Sequence, residues 1–561
     1  DERAARGLGA SGLAVDVLGQ VQYVADAEAL RLLEEGLVAA EDSVDPEARA
    51  PRGDTRSVLA PASAYTEGTK TLLYIICDFP DLTGFPQTVA TISNAMNTVT
   101  TYWDEVSYTR ARLAPTYVPT VQRLPHNGAY YTNNFSALLT DARNAAKSNG
   151  YDSAGYDHYV VLTDENASDI NFSYAGKAWV GSPGCHLVDP YYTLRTAGHE
   201  IGHNFGLRHA NYWRTDSDHP VGRDSVNGGY VTNGLDEEWI EYGHRFTVMS
   251  GQGTTDMSDR KAHFAPREKL KVEWIKTNEI VVLTNSATVR LYRFDHRDAT
   301  GTPRAIHVKR ATTDFSSYAR QYWLGYRMAY TDNGWLQEGL QIDWVQGSTY
   351  GADGAIQLDM TPYSNDDNTG ATLSDDNNDK WDGALLLGRT YSDPTNGIHI
   401  TPTARGGTPP NQWMDVTVNL GFFPTNHAPG LSLAASTLTP AASAAVTFTA
   451  TASDPDGDTL AYEWDFDLPK SIFSNTLNRA QVTNSWSATS EYVVRCVVSD
   501  LRGGRASTSL VVTVGNPGTV YRITGQVLSN GQGVAGVRVY TAYTNMTYTT
   551  TDGRYALVDL P

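Results

Sequence analysis

The eleven residues from His199 to His209 constrain this chain more than any other stretch of it. They read His199-Glu200-Ile201-Gly202-His203-Asn204-Phe205-Gly206-Leu207-Arg208-His209. The surrounding pattern predicts a helix over residues 194–205. On it, His199 and His203 stand four apart and project from one face about a turn apart. A third histidine six residues further on cannot share that face of a straight helix. The chain has to turn sharply after His203, and Gly206 is where it can, because glycine reaches positive φ at little cost. His209 then swings back toward the other two.

Three imidazoles gathered in this way match the donor set of zinc, which takes histidine nitrogen at roughly 2.0–2.1 Å. Three protein ligands leave a fourth position for water, the arrangement of a catalytic rather than a structural site. Glu200 follows the first ligand and falls beside the metal rather than on it. There it is expected to take a proton from the activated water and deliver it to a leaving amine. The bland alternative is a helix with solvent-satisfied histidines, which requires three histidines and a glycine to fall into register by accident.

The segment resembles the metzincin signature His-Glu-x-x-His-x-x-Gly-x-x-His. Metzincins carry a downstream methionine in a tight turn under the zinc. Phe246-Thr247-Val248-Met249-Ser250-Gly251 resembles that turn, with Met249 lying 40 residues after His209. The resemblance implies an apolar base for Met249 and no bond to zinc. Some metzincins place a tyrosine two residues past the methionine as an extra ligand; Gly251 stands there in this chain. Within the clan the likeness is to gametolysin-like and related bacterial secreted peptidases, carried by residues 73–81, 198–207 and 241–246. It covers the catalytic domain only. It implies a secreted zinc metalloendopeptidase acting on protein or glycoprotein substrates.

Around the motif the pattern is α/β. Residues 72–77 and 159–162 are continuous apolar runs, as in strands buried on both faces. Val89, Ile92, Met96, Val99, Tyr102 and Val106 recur at helical spacing over 87–107, and a second helix is expected over 134–148. Beyond 278 the pattern predicts strands between Gly, Asn and Asp turns, with no further helices. The expected fold is multidomain α/β plus all-β, a metzincin-like α/β catalytic domain followed by tandem β-sandwiches. Its divisions are 1–65, an N-terminal propeptide-like segment and linker; 66–277, the catalytic domain; 278–424, a β-sandwich; 430–515, a second sandwich; and 519–561, a partial third β-module.

The second sandwich carries Ser453-Asp454-Pro455-Asp456-Gly457-Asp458 and then Tyr462-Glu463-Trp464-Asp465-Phe466, and it resembles a polycystic-kidney-disease (PKD) type domain. Trp464 is expected in its core. Such modules append to secreted bacterial hydrolases, where they space domains or bind matrix. Residues 521–527 with Asp552-Gly553-Arg554-Tyr555 resemble the start of a carboxypeptidase-regulatory-like module, which is expected to continue past Pro561. Neither likeness brings a chemistry of its own.

Within 1–65, Val15, Val17, Val21 and Tyr23 alternate, and 27–40 has helical spacing. A Pro/Arg/Ala-rich stretch over 45–64 reads as an exposed linker. A cleavable propeptide and a small accessory domain are both consistent with this. The segment holds no cysteine, so latency through a cysteine ligand is excluded. The chain opens on Asp1 rather than Met, so any signal peptide is expected to have been removed, and export is not read from the sequence directly.

Three cysteines, Cys77, Cys185 and Cys496, exclude a disulfide scaffold; Cys77 and Cys185 either bridge or stay as buried thiols. The net charge of −20, with no basic stripe, argues against nucleic acid as a partner. No apolar run is long enough to span a membrane. A monomer is expected.

The oxygen-rich stretches 365–368 and 374–379 suit calcium, a candidate second cation, and equally suit solvated loops. His219 and His244 lack ligand spacing, and solvent exposure or local hydrogen bonding is expected for both; Cys185, followed by His186 in a stretch that resembles the edge strand and loop beside the cleft, is read as packing. The rival function is a non-catalytic adhesin or matrix-binding protein that works through its β-modules.

Overall fold

The computed structural model describes residues 13–17, 20–24, 65–165, 170–214, 220, 238–251, 261–309, 321–345, 354–362, 379–468, 477–518, 520–542 and 545–560. The expected helix over 27–40, the linker over 45–64, His219 and the stretches 365–368 and 374–378 lie outside them. Residues Leu13–Val17 and Gln20–Val24 pair as an antiparallel hairpin.

The α/β unit is built on a sheet whose central strand is β1 (Gly68–Asp78), with β2 (Ala111–Tyr117), β3 (His158–Thr163), β4 (Gly176–Ala178) and β5 (Cys185–Val188). The order is β2-β1-β3-β5-β4. The first four run parallel, and β4 is antiparallel at the edge. Residues 72–77 of β1 are all buried, because both faces of the sheet are covered. Successive side chains point to opposite faces, so Leu72, Tyr74 and Ile76 enter one core while Leu73, Ile75 and Cys77 enter the other.

Helix α1 (Val89–Val106) covers the first face. Its buried Ile92, Met96, Val99, Tyr102, Trp103 and Val106 form one stripe, and Thr88 caps it by accepting from Thr91 N at 3.1 Å. Helix α2 (Phe135–Ser148) covers the second face through Phe135, Leu138, Leu139, Ala142 and Ala146. The motif helix α3 (Leu194–Asn204) packs on the α1 side, its Ala197 and Ile201 in the same core as Trp103, Phe264 and Trp274. Burying such aromatic and aliphatic side chains contributes about 1.5–3 kcal/mol each before entropy is charged against it. Cys77 and Cys185 are both buried and free, so the open question of a bridge resolves as two thiols in packing roles.

Beyond residue 278 two sheets face each other. One has four antiparallel strands, Ala287–Tyr292, Trp413–Leu420, Ile398–Gly406 and Tyr391–Asp393. The other is mixed and takes in Ile280–Leu283, Ala305–Lys309, Gln321–Gly325, Gly339–Val345 and Ile356–Gln357. Its far edge is formed by Asn211–Arg214 and Glu238–Ile240. The sandwich sheet therefore crosses the 277/278 division and takes two strands from the segment that carries the motif. Ile306, Tyr322, Leu340, Trp344, Ile400 and Val416 are among the residues of the single core between the sheets. The expectation of no further helices needs correction. A short helix, Gly334–Glu338, forms where the Asn333 side chain accepts from Leu336 N at 3.0 Å.

Next come two facing three-stranded sheets. Gly430–Ala435, Val446–Ser453 and Gln481–Asn484 form one; Ala461–Leu468, Glu491–Ser499 and Arg505–Thr513 form the other. Trp464 lies fully buried between them against Phe448 and Phe466, its Nε1–H donating to Arg479 O at 2.8 Å. The last strands pair as Tyr521–Gln526 with Arg554–Leu560 and Arg538–Ala542 with Asn545–Tyr548. Among the described residues no helix is long and apolar enough to cross a membrane.

Candidate metal centre

Helix α3 starts at Thr193, whose Oγ1 accepts from Thr196 N at 3.4 Å, and ends where the motif needs it to. Leu207 N donates to Gly202 O at 3.0 Å and Gly206 N to His203 O at 2.8 Å, the paired bonds of a Schellman ending. Gly206 has φ +98°, a value a Cβ would strain. That turn returns His209 to the helix. The ring centroids of His199, His203 and His209 lie 4.6, 4.8 and 5.4 Å apart, and one nitrogen from each falls within 4.8 Å of the others.

Each Nδ1 is engaged by an acceptor. His199 Nδ1–H donates to Val248 O at 3.0 Å, His203 Nδ1–H to Leu207 O at 2.7 Å, and His209 Nδ1–H to Glu241 Oε1 at 2.6 Å. A neutral imidazole that donates through Nδ1 keeps a bare lone pair on Nε2. All three rings are held neutral. Burial, reinforced by the neighbouring His209, pushes His199 down to about 3, burial takes His203 well below the usual range, and burial outweighs Glu241 at His209. The Nε2 atoms of His199 and His203 thus face each other at 3.0 Å with no proton between them. Two lone pairs in that position repel unless a cation lies between them, and tetrahedral ligands at 2.0–2.1 Å would stand about 3.3 Å apart. The residues present therefore fit a divalent cation with imidazole preference, such as zinc.

Glu200 is buried beside these rings, and burial raises its carboxyl to about 8 in the metal-free chain. It occupies space that Gly176 of the edge strand β4 leaves open. A Cβ on Gly176 would come within 2.7 Å of Glu200 Cγ and Oε1. Met249 is fully buried under the helix, and its Sδ would lie 2.6 Å from a Cβ on Gly202. The turn that carries it also supplies Val248 O to His199. His199, Glu200, His203, Gly206, His209 and Met249 are all brought together.

Several residues of the site were given no role from sequence. Glu241 holds His209. Tyr242, at φ +61°, lays its ring 3.8 Å from that of His209. Asn204 shares its side-chain amide among Trp179 O, Ser182 O and Gly184 O at 2.8–3.0 Å and so ties the helix end to the loop beside β4. The only signal for the first two was their place in the 241–246 segment. His186 is buried between Thr163 Oγ1 at 2.8 Å and Tyr174 Oη at 3.1 Å, away from the ligand set. His244 is fully buried and bonded to Asp343 Oδ1 at 3.1 Å, so exposure is excluded for it.

A second group of three acidic side chains, Asp454, Asp456 and Asp458, brings carboxylate oxygens within 4.8 Å of one another. Asp454 Oδ1 accepts from Asp456 N and Asp458 N, Asp456 accepts from His427 N, and Arg502 pairs with Asp458. Oxygen-only sets of this kind are what hard cations take. In sequence this stretch served only as a likeness to a domain type.

Comparison with known proteins bears on that region. A family profile described as "PKD domain" matches residues 426–514. Residues 426–514 form a PKD domain. No curated protein matches the chain. Among solved structures, the PKD1 domain of Vibrio anguillarum Epp is 22% identical, covers 16% of this chain and 96% of its own, and has a TM-score of 0.14. The PKD domain of an M14-like peptidase from a Thermoplasmatales archaeon is 18% identical over 16% of this chain and 96% of its own, with a TM-score of 0.13. A structure of carbohydrate-binding modules of the β-sandwich superfamily is 21% identical over 24% of this chain and 54% of its own, with a TM-score of 0.15. The PKD domain docks on the preceding sandwich through Arg389 with Glu463 at 2.9 Å, Asn478 Nδ2–H to Thr403 O at 2.9 Å and Asn419 Nδ2–H to Leu501 O at 2.8 Å.

Proposed function

We propose that this chain is a secreted zinc metalloendopeptidase of the metzincin type, hydrolysing peptide bonds of extracellular proteins. The observation that supports it best is the convergence of three neutral imidazoles, each Nδ1 already committed, beside one buried carboxyl. His199, His203 and His209 would hold zinc, which supplies Lewis acidity toward a peptide carbonyl and a water molecule. The protein's own groups do the rest. Glu200, buried beside the three rings, accepts a proton from the attacking water and returns it to the leaving amine. The open edge of β4 offers main-chain groups to an extended peptide laid alongside it. Val248 O, Leu207 O and Glu241 keep the three rings oriented while this happens.

The test is digestion of casein or gelatin by the metal-loaded chain with and without a chelator. Glu200→Ala should retain zinc and lose nearly all cleavage, whereas His203→Ala should lose both. Full hydrolysis by Glu200→Ala would sink the assignment. The PKD domain favours a second reading, an adhesin whose matrix binding is indifferent to chelator and cuts nothing.

A further inference from the structure

We infer that Tyr242 is a further catalytic residue of this centre: its phenol O–H donates a hydrogen bond to the oxygen that gains charge when water adds to the scissile carbonyl. The inference rests on the metallopeptidase reading above. The Tyr242 ring lies against two of the three imidazoles, 3.8 Å from His209 and 6.0 Å from His199 between centroids. Its phenol is near enough to Glu200 for the two to interact through space. The hydroxyl makes no hydrogen bond to any described residue, and Tyr242 is 39% exposed, which leaves its O–H available as a donor.

This placement is built rather than incidental. Tyr242 adopts φ +61°, a left-handed conformation that is an outlier for a bulky residue and persists only where the surroundings impose it. Its N–H donates to Asn211 Oδ1 at 3.2 Å and its carbonyl accepts from Gly251 N at 2.8 Å. A Cβ on Gly251 would stand 2.6 Å from the Tyr242 Cβ. The glycine after the Met249 turn is therefore what admits the tyrosine over the imidazoles. A group that only packed against His209 would need the ring and not the hydroxyl, which is the distinction to test.

In the step concerned, the water oxygen bonds to the carbonyl carbon while the C=O π pair moves onto the carbonyl oxygen. The water proton passes to Glu200 and leaves with the amine when the C–N bond breaks. Tyr242 stays protonated throughout and contributes only the hydrogen bond. Losing one oxyanion donor costs ~10²–10³ in kcat where the site is closed to water; with this ring open to solvent, about 10–100-fold is expected.

The experiment is Tyr242→Phe in the zinc-loaded full chain, which keeps the ring and removes the donor. Expected are unchanged zinc content, a KM within about twofold, and the stated fall in kcat. A phosphinic peptide, whose tetrahedral oxygens imitate the charged oxygen, should bind more weakly by the same factor in calorimetry. If kcat and phosphinate affinity both stay within about twofold of wild type, the role of Tyr242 is overturned while the peptidase reading stands. A zinc-loaded wild-type chain that neither cleaves peptides nor binds the phosphinate overturns both.

Discussion

Replacing Glu241 by glutamine removes the negative charge behind one of the three proposed zinc ligands and leaves the other two untouched. Glu241 Oε1 accepts from His209 Nδ1 at 2.6 Å, a short bond with an ionised acceptor. Such a carboxylate fixes the tautomer and makes the opposite ring nitrogen a better donor to metal, and its loss typically costs 10–100-fold in affinity. That corresponds to about 1.4–2.7 kcal/mol. The Glu241 side chain is 49% exposed and that of His209 24%, so water already competes for the interaction. The lower end applies, about tenfold or ~1.4 kcal/mol. His199 and His203 lean on main-chain carbonyls that the substitution cannot reach. The measurement is competition for zinc against a chromophoric chelator at pH 7, with Tm read on metal-free and zinc-loaded protein. The metal-free Tm should stay put and the zinc-induced rise should shrink. Unchanged zinc affinity, or a loss as complete as in His203→Ala, would refute the assignment of Glu241 as a supporting partner.

Gly202→Ala places a Cβ 2.6 Å from Met249 Sδ and 3.3 Å from Phe264, an overpacking expected to cost about 1–3 kcal/mol in chemical denaturation and to lower zinc content; a neutral result would show the methionine free to move aside. Gly176→Ala should displace the Glu200 side chain and cut cleavage sharply while zinc content, read by elemental analysis, stays at one per chain. Acid should destabilise the fold through His158 and His186, which burial holds at about 4 and about 3 against an unfolded value near 6.5. Their folded values are depressed, so the unfolded chain takes up protons first; stability is complete above about pH 6.5 and falls by about 2 kcal/mol per histidine by pH 5. Neither ring nitrogen of His158 has a hydrogen-bond partner among the described residues, so His158→Phe should flatten its share of the Tm-against-pH curve.

What was legible in the sequence is what short-range geometry dictates. The spacing of His199, His203, Gly206 and His209 specified a helix, its end and a returning histidine, and the bonds Leu207 N to Gly202 O and Gly206 N to His203 O supply that end. The apolar run at 72–77 marked the central strand because a strand covered on both sides has no polar alternation to lose. Glu241 and Tyr242 carried no such pattern. Their roles come from contacts 32 and 9 positions away, with His209 and Gly251, and no local periodicity reports a contact of that kind. The strands Asn211–Arg214 and Glu238–Ile240 went unread because four and three residues are too few to show a period of two.

Those two short strands also explain how a third histidine outside the helix is held to the geometry of the first two. His209 is followed at once by Ala210, whose N–H donates to Met249 O at 2.9 Å and whose carbonyl accepts from His244 N at 3.4 Å. Asn211 N donates to Ala355 O at 2.7 Å, and Gly354 lies so close to His209 O that a Cβ there would meet it at 1.9 Å. The turn under the three histidines is tied to the same sheet, since Arg245 N donates to Gln357 Oε1 at 2.7 Å and Arg327 to Phe246 O at 2.9 Å. A helix fixes two imidazoles by itself. The third is fixed by main chain clamped between the methionine turn and the edge of the sandwich sheet, so rigidity of that sheet is a condition for the three nitrogens to converge.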